Sequence, residues 1–322
     1  GYLSRVRSMI AYANVFSYVL THLRNRWISA FPVSTLCYNP PCPKSIPGRT
    51  MPDYQHIILE KDPAEHIARL TINRPERRNA LNDAATDEMG QAVDDVAADD
   101  DIRVLIITGA GQAFCAGGDL NALQGGSDPG LWVSEKTDDI RRSFQAAQRV
   151  MLGIQRMEKP VIAMINGTAV GAGFDIACAC DIRIASPKAR FMVAYVRIGL
   201  FPGFGGTWLL PRVLGSMGKA AELLFTGDFM EADEGYRLGF LNRVVDEDEL
   251  ESTTMEIARK IAAGPPIAIR LSKLMLYKGL EFDLETALKM AAAAETITLT
   301  SYDHGEGAQA IRESRKPFYE GR

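Results

Sequence analysis

Two glycine-rich turns stand out as places where the backbone, rather than side chains, could do chemistry. The first, Gly109 to Gly118, follows the aliphatic run Val104-Leu105-Ile106-Ile107-Thr108 and leads to Asp119. The second is Asn166-Gly167 and then Gly171-Ala172-Gly173, which follows Val161–Ile165 and heads a helix. Without a side chain in the way, a ligand can approach the main chain closely. An N–H at a helix start also lacks an intrahelical acceptor and sits at the positive end of the dipole, which favours an anion. Two such donors aimed at one carbonyl oxygen form an oxyanion hole, in which one donor is worth about 3–4 kcal/mol of barrier. The alternative is that these glycines only permit tight turns.

Other glycine-loop chemistries fail on spacing. Gly171-Ala172-Gly173 is followed by Phe174, Asp175 and Ile176, so no GxGxxG dinucleotide loop exists. Gly218-Lys219 precedes Ala220 and lacks the upstream glycine of a phosphate-binding P-loop. Gly125-Gly126-Ser127-Asp128-Pro129 misses the last glycine of a GxSxG nucleophile elbow. The five cysteines (Cys37, Cys42, Cys115, Cys178, Cys180) include no CxxC pair, which suits a reducing compartment. The four histidines (His22, His56, His66, His304) show no metal-ligand spacing, so no metal site is expected. Cys115 has no histidine near it in sequence and reads as a small buried filler rather than a nucleophile.

The elements that must position these turns follow from hydrophobic pattern. His56–Lys61 and Ile67–Asn73 are β-branched runs around an Asp62–Glu65 turn, which predicts a hairpin. Asn82 or Asp83 can cap a helix whose Ala85, Met89, Ala92, Val93 and Val96 share one face. Val104–Thr108 and Val161–Ile165 are continuous rather than alternating, the mark of strands covered on both faces by helices. A helix over 140–157 closes at Lys159-Pro160, and further strands are predicted over 182–185 and 191–193. Strand, glycine turn and helix in succession, twice, give an α/β architecture. Beyond Thr207 the chain reads as helical packing rather than more sheet.

Composition bounds the rest. At 322 residues, 47% hydrophobic and 24% charged, the chain can bury a sizeable core and is not intrinsically disordered. No run of 18 apolar residues exists, so no membrane partner is expected. Residues 1–52 carry six basic residues, no Asp or Glu, and a Pro-rich stretch from Pro40 to Pro47. Two readings of this segment stay open: an organellar transit peptide, with a mitochondrial matrix protein behind it, or upstream sequence before a start at Met51, with a cytoplasmic one. The remaining 270 residues hold 30 basic against 40 acidic side chains, a balance of −10 that argues against a nucleic-acid partner.

The run Ala113-Phe114-Cys115-Ala116-Gly117-Gly118-Asp119-Leu120 resembles the first signature of the crotonase, or enoyl-CoA hydratase/isomerase, superfamily. So do Lys159-Pro160-Val161-Ile162-Ala163, Asn166-Gly167, Gly171-Ala172-Gly173, Cys180-Asp181-Ile182-Arg183, Leu210-Pro211-Arg212 and Thr226-Gly227, in order, over about 53–322. The resemblance implies an α/β spiral of ββα turns over 53–245 and a C-terminal helical trimerisation region over 246–322. It puts the two oxyanion amides on Gly118 and Ala172. It implies that coenzyme A, part of the substrate and the only cofactor chemistry expected, binds beside Arg77, Arg78, Ala80 and Leu81. Ala116, Gly117, Asp119 and Leu120 would line the same site, with Gly173 and Gly203 nearer the reacting carbons.

The sequence departs from the hydratase pattern at both catalytic glutamates of the family. The first matches Asp175, whose carboxylate sits about 1.5 Å further back for want of one methylene. The second matches Tyr195, essentially protonated at pH 7 and poor as a base. Some isomerases of the family place an acid where Gly203 stands. The segment 191–212 looks most like the phenylacetate-pathway isomerase branch. The resemblance therefore implies an enzyme that holds a thioester enolate and moves a proton, in double-bond isomerisation or hydration of an enoyl-CoA. Alternatives are a CoA-ester or ring-cleaving hydrolase on the same fold, and a non-catalytic, RNA-binding member. If water is added, Asp175 needs Tyr195 or another acid such as Glu135. Asp175 could instead be only a first-turn residue favoured by the helix dipole. Apolar residues around 257–261, 267–276 and 284–290 exceed what one helix face needs, unless these helices simply cover their own subunit. Because the resemblance implies a ring of three or two stacked rings, a homotrimer or hexamer is expected.

Overall fold

The computed structural model describes residues 53–123 and 136–322. The acid-free segment 1–52 and Glu135 lie outside the described residues. Among the described residues, ten strands form two sheets. β1 (Ile57–Asp62), β2 (Ile67–Ile72), β3 (Val104–Gly109), β5 (Val161–Ile165), β7 (Ile182–Ala185) and β10 (Arg243–Val244) form one sheet, in that order. β4 (Ala113–Cys115), β6 (Thr168–Val170), β8 (Arg190–Met192) and β9 (Phe229–Glu231) form the other. β1 pairs antiparallel with β2, and β8 with β9; every other pairing is parallel. Each glycine-rich segment thus crosses from the larger sheet through a short strand of the smaller one, and Gly117-Gly118 and Gly171–Gly173 follow β4 and β6.

The helices are α1 (Asp83–Ala98), α2 (Leu120–Leu123), α3 (Thr137–Arg156), α4 (Ala172–Ala179), α5 (Gly206–Leu214), α6 (Met217–Thr226) and α7 (Ala232–Arg237). They continue with α8 (Leu250–Ala262), α9 (Pro266–Lys278), α10 (Leu284–Leu299) and α11 (Tyr302–Arg312). None is long and apolar enough to cross a membrane. As the spacing predicts, Asn82 caps α1: its side chain accepts the Ala85 N–H at 2.9 Å. The predicted apolar face, Ala85 to Val96, is buried. Every residue of β3 and β5 is buried, which is why both read as unbroken aliphatic runs.

Two expectations are corrected. The segment 109–118 is more than a glycine turn, because it contains β4; three residues are too few to show an alternating pattern. The chain beyond Thr207 is not purely helical either, since β9 and β10 extend both sheets. The site-bearing helix α4 is held by Phe174, whose ring packs 5.4 Å from Phe191 and 5.3 Å from Phe240, centroid to centroid. Such aromatic pairs contribute about 0.5–1.5 kcal/mol each beyond area burial. The helical region is tied to the sheets by α9: Lys273 Nζ lies 2.7 Å from Asp181 Oδ2, and Tyr277 donates to Asp181 Oδ1 at 2.7 Å.

Candidate active site

The first turn is built on a strained corner. Arg78 and Asn79 both adopt left-handed conformations, with φ of 51° and 59°. Non-glycine residues hold such values only where surroundings over-determine them. Here the buried Asn79 side chain does so, accepting the Arg74 N–H at 3.0 Å and donating to the Ala110 and Ala113 carbonyls at 2.8 and 2.7 Å. The corner then binds the glycine loop edge to edge. Ala116 N–H donates to Arg78 O at 3.0 Å, Leu81 N–H to Gly117 O at 2.7 Å and Asp119 N–H to Leu81 O at 2.8 Å. With Gly117 O and Asp119 N–H both directed at Leu81, the alternation of an extended backbone turns the Gly118 N–H the other way.

That direction leads to the second turn. Gly117 has a φ of 89°, and a Cβ there would stand 2.7 Å from Val170 O and 3.6 Å from Ala172 N. Gly171 N–H is engaged by Met192 O at 2.8 Å, and Ala172 opens α4, where the first N–H groups have no helical acceptor. Gly173 lets α4 start against β4, since a Cβ would overlap the Cys115 carbonyl. Gly118 and Ala172, 54 residues apart in sequence, are thus brought to adjoining turns.

Asp175 sits one helical turn beyond Ala172 and is 2% exposed. Tyr195, on the 3₁₀ segment Ala194–Ile198, donates to its Oδ2 at 2.8 Å. Burial pushes the Asp175 carboxyl up to about 7, against the opposing pull of the Tyr195 hydroxyl and the Gly206 amide, which both hydrogen-bond it. Burial and the Asp175 charge push the Tyr195 phenol well above its ordinary value, so it stays neutral. Cys115 is fully buried and its thiol is pushed up to about 12, which removes the thiolate a nucleophile needs.

The remaining predicted residues divide by environment. Arg77 and Arg78 are exposed beside the loop, and Leu120 is exposed at its end. Ala80 and Leu81 are buried under it. The Asp119 carboxylate pairs with the buried Arg74 at 3.1 Å and accepts the Asn121 N–H at 3.0 Å. Gly203 stands where a Cβ would overlap the Phe144 ring, and Gly206 where one would overlap Asp175 Oδ1. Arg74, Phe144 and Gly206 were not singled out by sequence reasoning. Each gains its place from a partner at least 31 residues away in the chain.

The raised Asp175 pKa has a consequence for stability. A carboxyl raised from 3.8 in the unfolded chain to about 7 stabilises the fold below the lower value, and loses that contribution as pH rises through the upper one. Wild-type stability should fall by roughly 3 kcal/mol between pH 5 and pH 8 from this group alone. Asp175→Asn removes that dependence. In urea titrations its stability relative to wild type should therefore rise across the interval; a constant difference would mean that Asp175 ionises normally.

Comparison with known proteins accords with this geometry. The family model for enoyl-CoA hydratase/isomerase matches residues 62–322. The chain belongs to the enoyl-CoA hydratase/isomerase family. It is 38% identical over 265 residues to a short-chain-enoyl-CoA hydratase of Clostridium acetobutylicum, covering 82% of this chain and 97% of that one. It is 35% identical over 259 residues to the 1,2-epoxyphenylacetyl-CoA isomerase of Escherichia coli, covering 80% and 95%. Among solved structures, an enoyl-CoA hydratase from Bacillus anthracis superposes with a TM-score of 0.77 at 35% identity, covering 83% of this chain and all of that one. The chain is an enzyme of this family, and its fold is the family's.

Proposed function

We propose that this enzyme moves the double bond of an enoyl-CoA thioester by a single-carboxylate proton shuttle. The thioester oxygen lies between the Gly118 and Ala172 amides, which stabilise the negative charge that develops when a proton leaves Cα or Cγ. Asp175 takes that proton and returns it at the other carbon. The observation that carries this reading is the buried Asp175 carboxyl, one turn along the helix that Ala172 opens and hydrogen-bonded by Tyr195, where burial pushes its pKa up to about 7. A general base works best with a pKa near the working pH. Exposed Arg77 and Arg78 supply cations for the phosphates of coenzyme A, and no other cofactor is required.

Hydration is the second reading, favoured by the hydratase relative at 38% identity. Proton NMR of 3-enoyl-, 2-enoyl- and 3-hydroxyacyl-CoA in D₂O separates the two. Interconversion of the 2- and 3-enoyl esters with deuterium at Cα or Cγ supports isomerisation. Formation of 3-hydroxyacyl-CoA as the main product supports hydration, and release of free coenzyme A would make the enzyme a hydrolase.

We also propose a homotrimer or hexamer. α10 has no buried residue, and its Leu284 and Leu288 are 74% and 60% exposed. Leu276 and Leu280 add to the same apolar region, of a kind that monomers avoid displaying. Light scattering on the protein beginning at Met51 should give three or six times the chain mass. A monodisperse, fully active monomer is the result that overturns the assembly.

A further inference from the structure

We infer that Tyr195 is a positioning residue for the proposed reaction: its hydroxyl donates to Asp175 Oδ2, orients the carboxylate, stabilises its ionised form, and is thereby withheld from both substrate and water. The inference rests on Asp175 as proton carrier. The phenol is well anchored for this task. Its backbone carbonyl accepts the Leu200 N–H at 2.9 Å, and a Cβ on Gly171 would lie only 3.7 Å from Tyr195 Cζ. The ring therefore lies over the glycine turn immediately before Ala172, with its hydroxyl 2.8 Å from Asp175.

A neutral phenol has one proton to donate, and here Asp175 receives it. Among the described residues the site consequently holds one carboxylate, Asp175, and Tyr195 does not act as a second base to activate a water. The C–H bond of the substrate breaks toward Asp175 and its electron pair delocalises onto the thioester oxygen. The same proton, or one exchanged from solvent, then returns to the other carbon. No oxidant or co-reactant is needed.

The groups facing this pair are few. Cys178, on the same helix, faces Asp175, and Cys115, on β4, faces Tyr195. Burial pushes both thiols up, so both stay neutral over the working range. On α5 the facing group is the Gly206 amide, which does not titrate, and no basic side chain contributes to the Asp175 environment. Among the described residues, Tyr195 is thus the side chain that lowers the Asp175 pKa.

The test is the pH dependence of kcat/KM for Tyr195→Phe. Removing a hydrogen bond to a charged acceptor should move the acid limb upward by about one to two pH units. The high-pH plateau should fall by less than about 100-fold, the share of the rate that rests on the orientation of the carboxylate, and deuterium should still enter the product. Fluorotyrosine at 195, a stronger donor of nearly the same size, should move the limb downward; it also serves if the phenylalanine variant folds poorly. An unmoved limb with only a lower Tm would overturn the inference and leave Tyr195 structural. A plateau lowered more than about 100-fold would also overturn it, because Tyr195 would then act on the substrate directly. Asp175→Asn keeps the two levels apart: if that variant stays active the proposed reaction fails, whereas a dead Asp175→Asn beside an unmoved Tyr195→Phe limb sinks this inference alone.

Discussion

Asp175→Asn is expected to lower kcat by about 10²–10⁴-fold, the usual contribution of a positioned acid–base group, while the Kd for a saturated acyl-CoA stays near wild type. The asparagine fills the same volume in the same buried place and can still accept from Tyr195. What it loses is the ability to carry a proton. Because the group works only as the proton moves, the loss should fall on kcat rather than on binding. Single-turnover kinetics with isothermal titration of the unreactive ester checks both halves. Retention of more than about a tenth of kcat, a change of ~1.4 kcal/mol in barrier, would place the base elsewhere. Glu135 is the next carboxylate to replace.

The second large effect is expected from a single methyl group. Gly117→Ala puts a Cβ 2.7 Å from Val170 O and 3.6 Å from Ala172 N, at a residue whose φ is 89°. Left-handed backbone at a non-glycine residue costs about 1–3 kcal/mol. To relieve the contact, the 116–119 strip must move off the Val170–Ala172 turn, which separates the two amide donors. Losing one oxyanion donor typically costs about 10²–10³ in kcat. Turnover should therefore collapse although no titratable group has changed, and the shape of the pH profile should stay that of wild type. Circular dichroism and thermal melting control for gross unfolding. Near-normal turnover in a folded Gly117→Ala protein would show that these two turns do not form the oxyanion site.

Much of the scaffold was legible because burial writes itself into composition. β3 and β5 are enclosed on both faces, so Val104–Ile107 and Val161–Ile165 are apolar without interruption. Asn82 could be read as a cap because a side-chain acceptor is useful only just before a helix starts. The strands β4, β6, β9 and β10 were missed for the opposite reason. With two or three residues each, they show no periodicity, and they exist because a neighbouring strand offers a ladder to complete. Their pairing is a property of the assembled sheets rather than of their own residues.

The same division runs through the site. Sequence alone determined which residues could take part: glycines where a close approach to backbone is needed, one aspartate and one tyrosine at the positions that the resemblance matches to catalytic glutamates, and no metal-ligand spacing. It also determined the family, because several short motifs occur in one order at matching separations. Only the tertiary structure decided what those residues do together. Burial pushes the Asp175 carboxyl up to about 7, against the downward pull of a hydrogen bond from Tyr195, 20 residues further along the chain. The Asp119 carboxylate, placed beside the glycine loop by sequence, is paired with Arg74, 45 residues earlier. Hydrogen-bond geometry and desolvation act through space over a few ångströms. Residue type and spacing can nominate the groups, but only the folded chain brings them within that range.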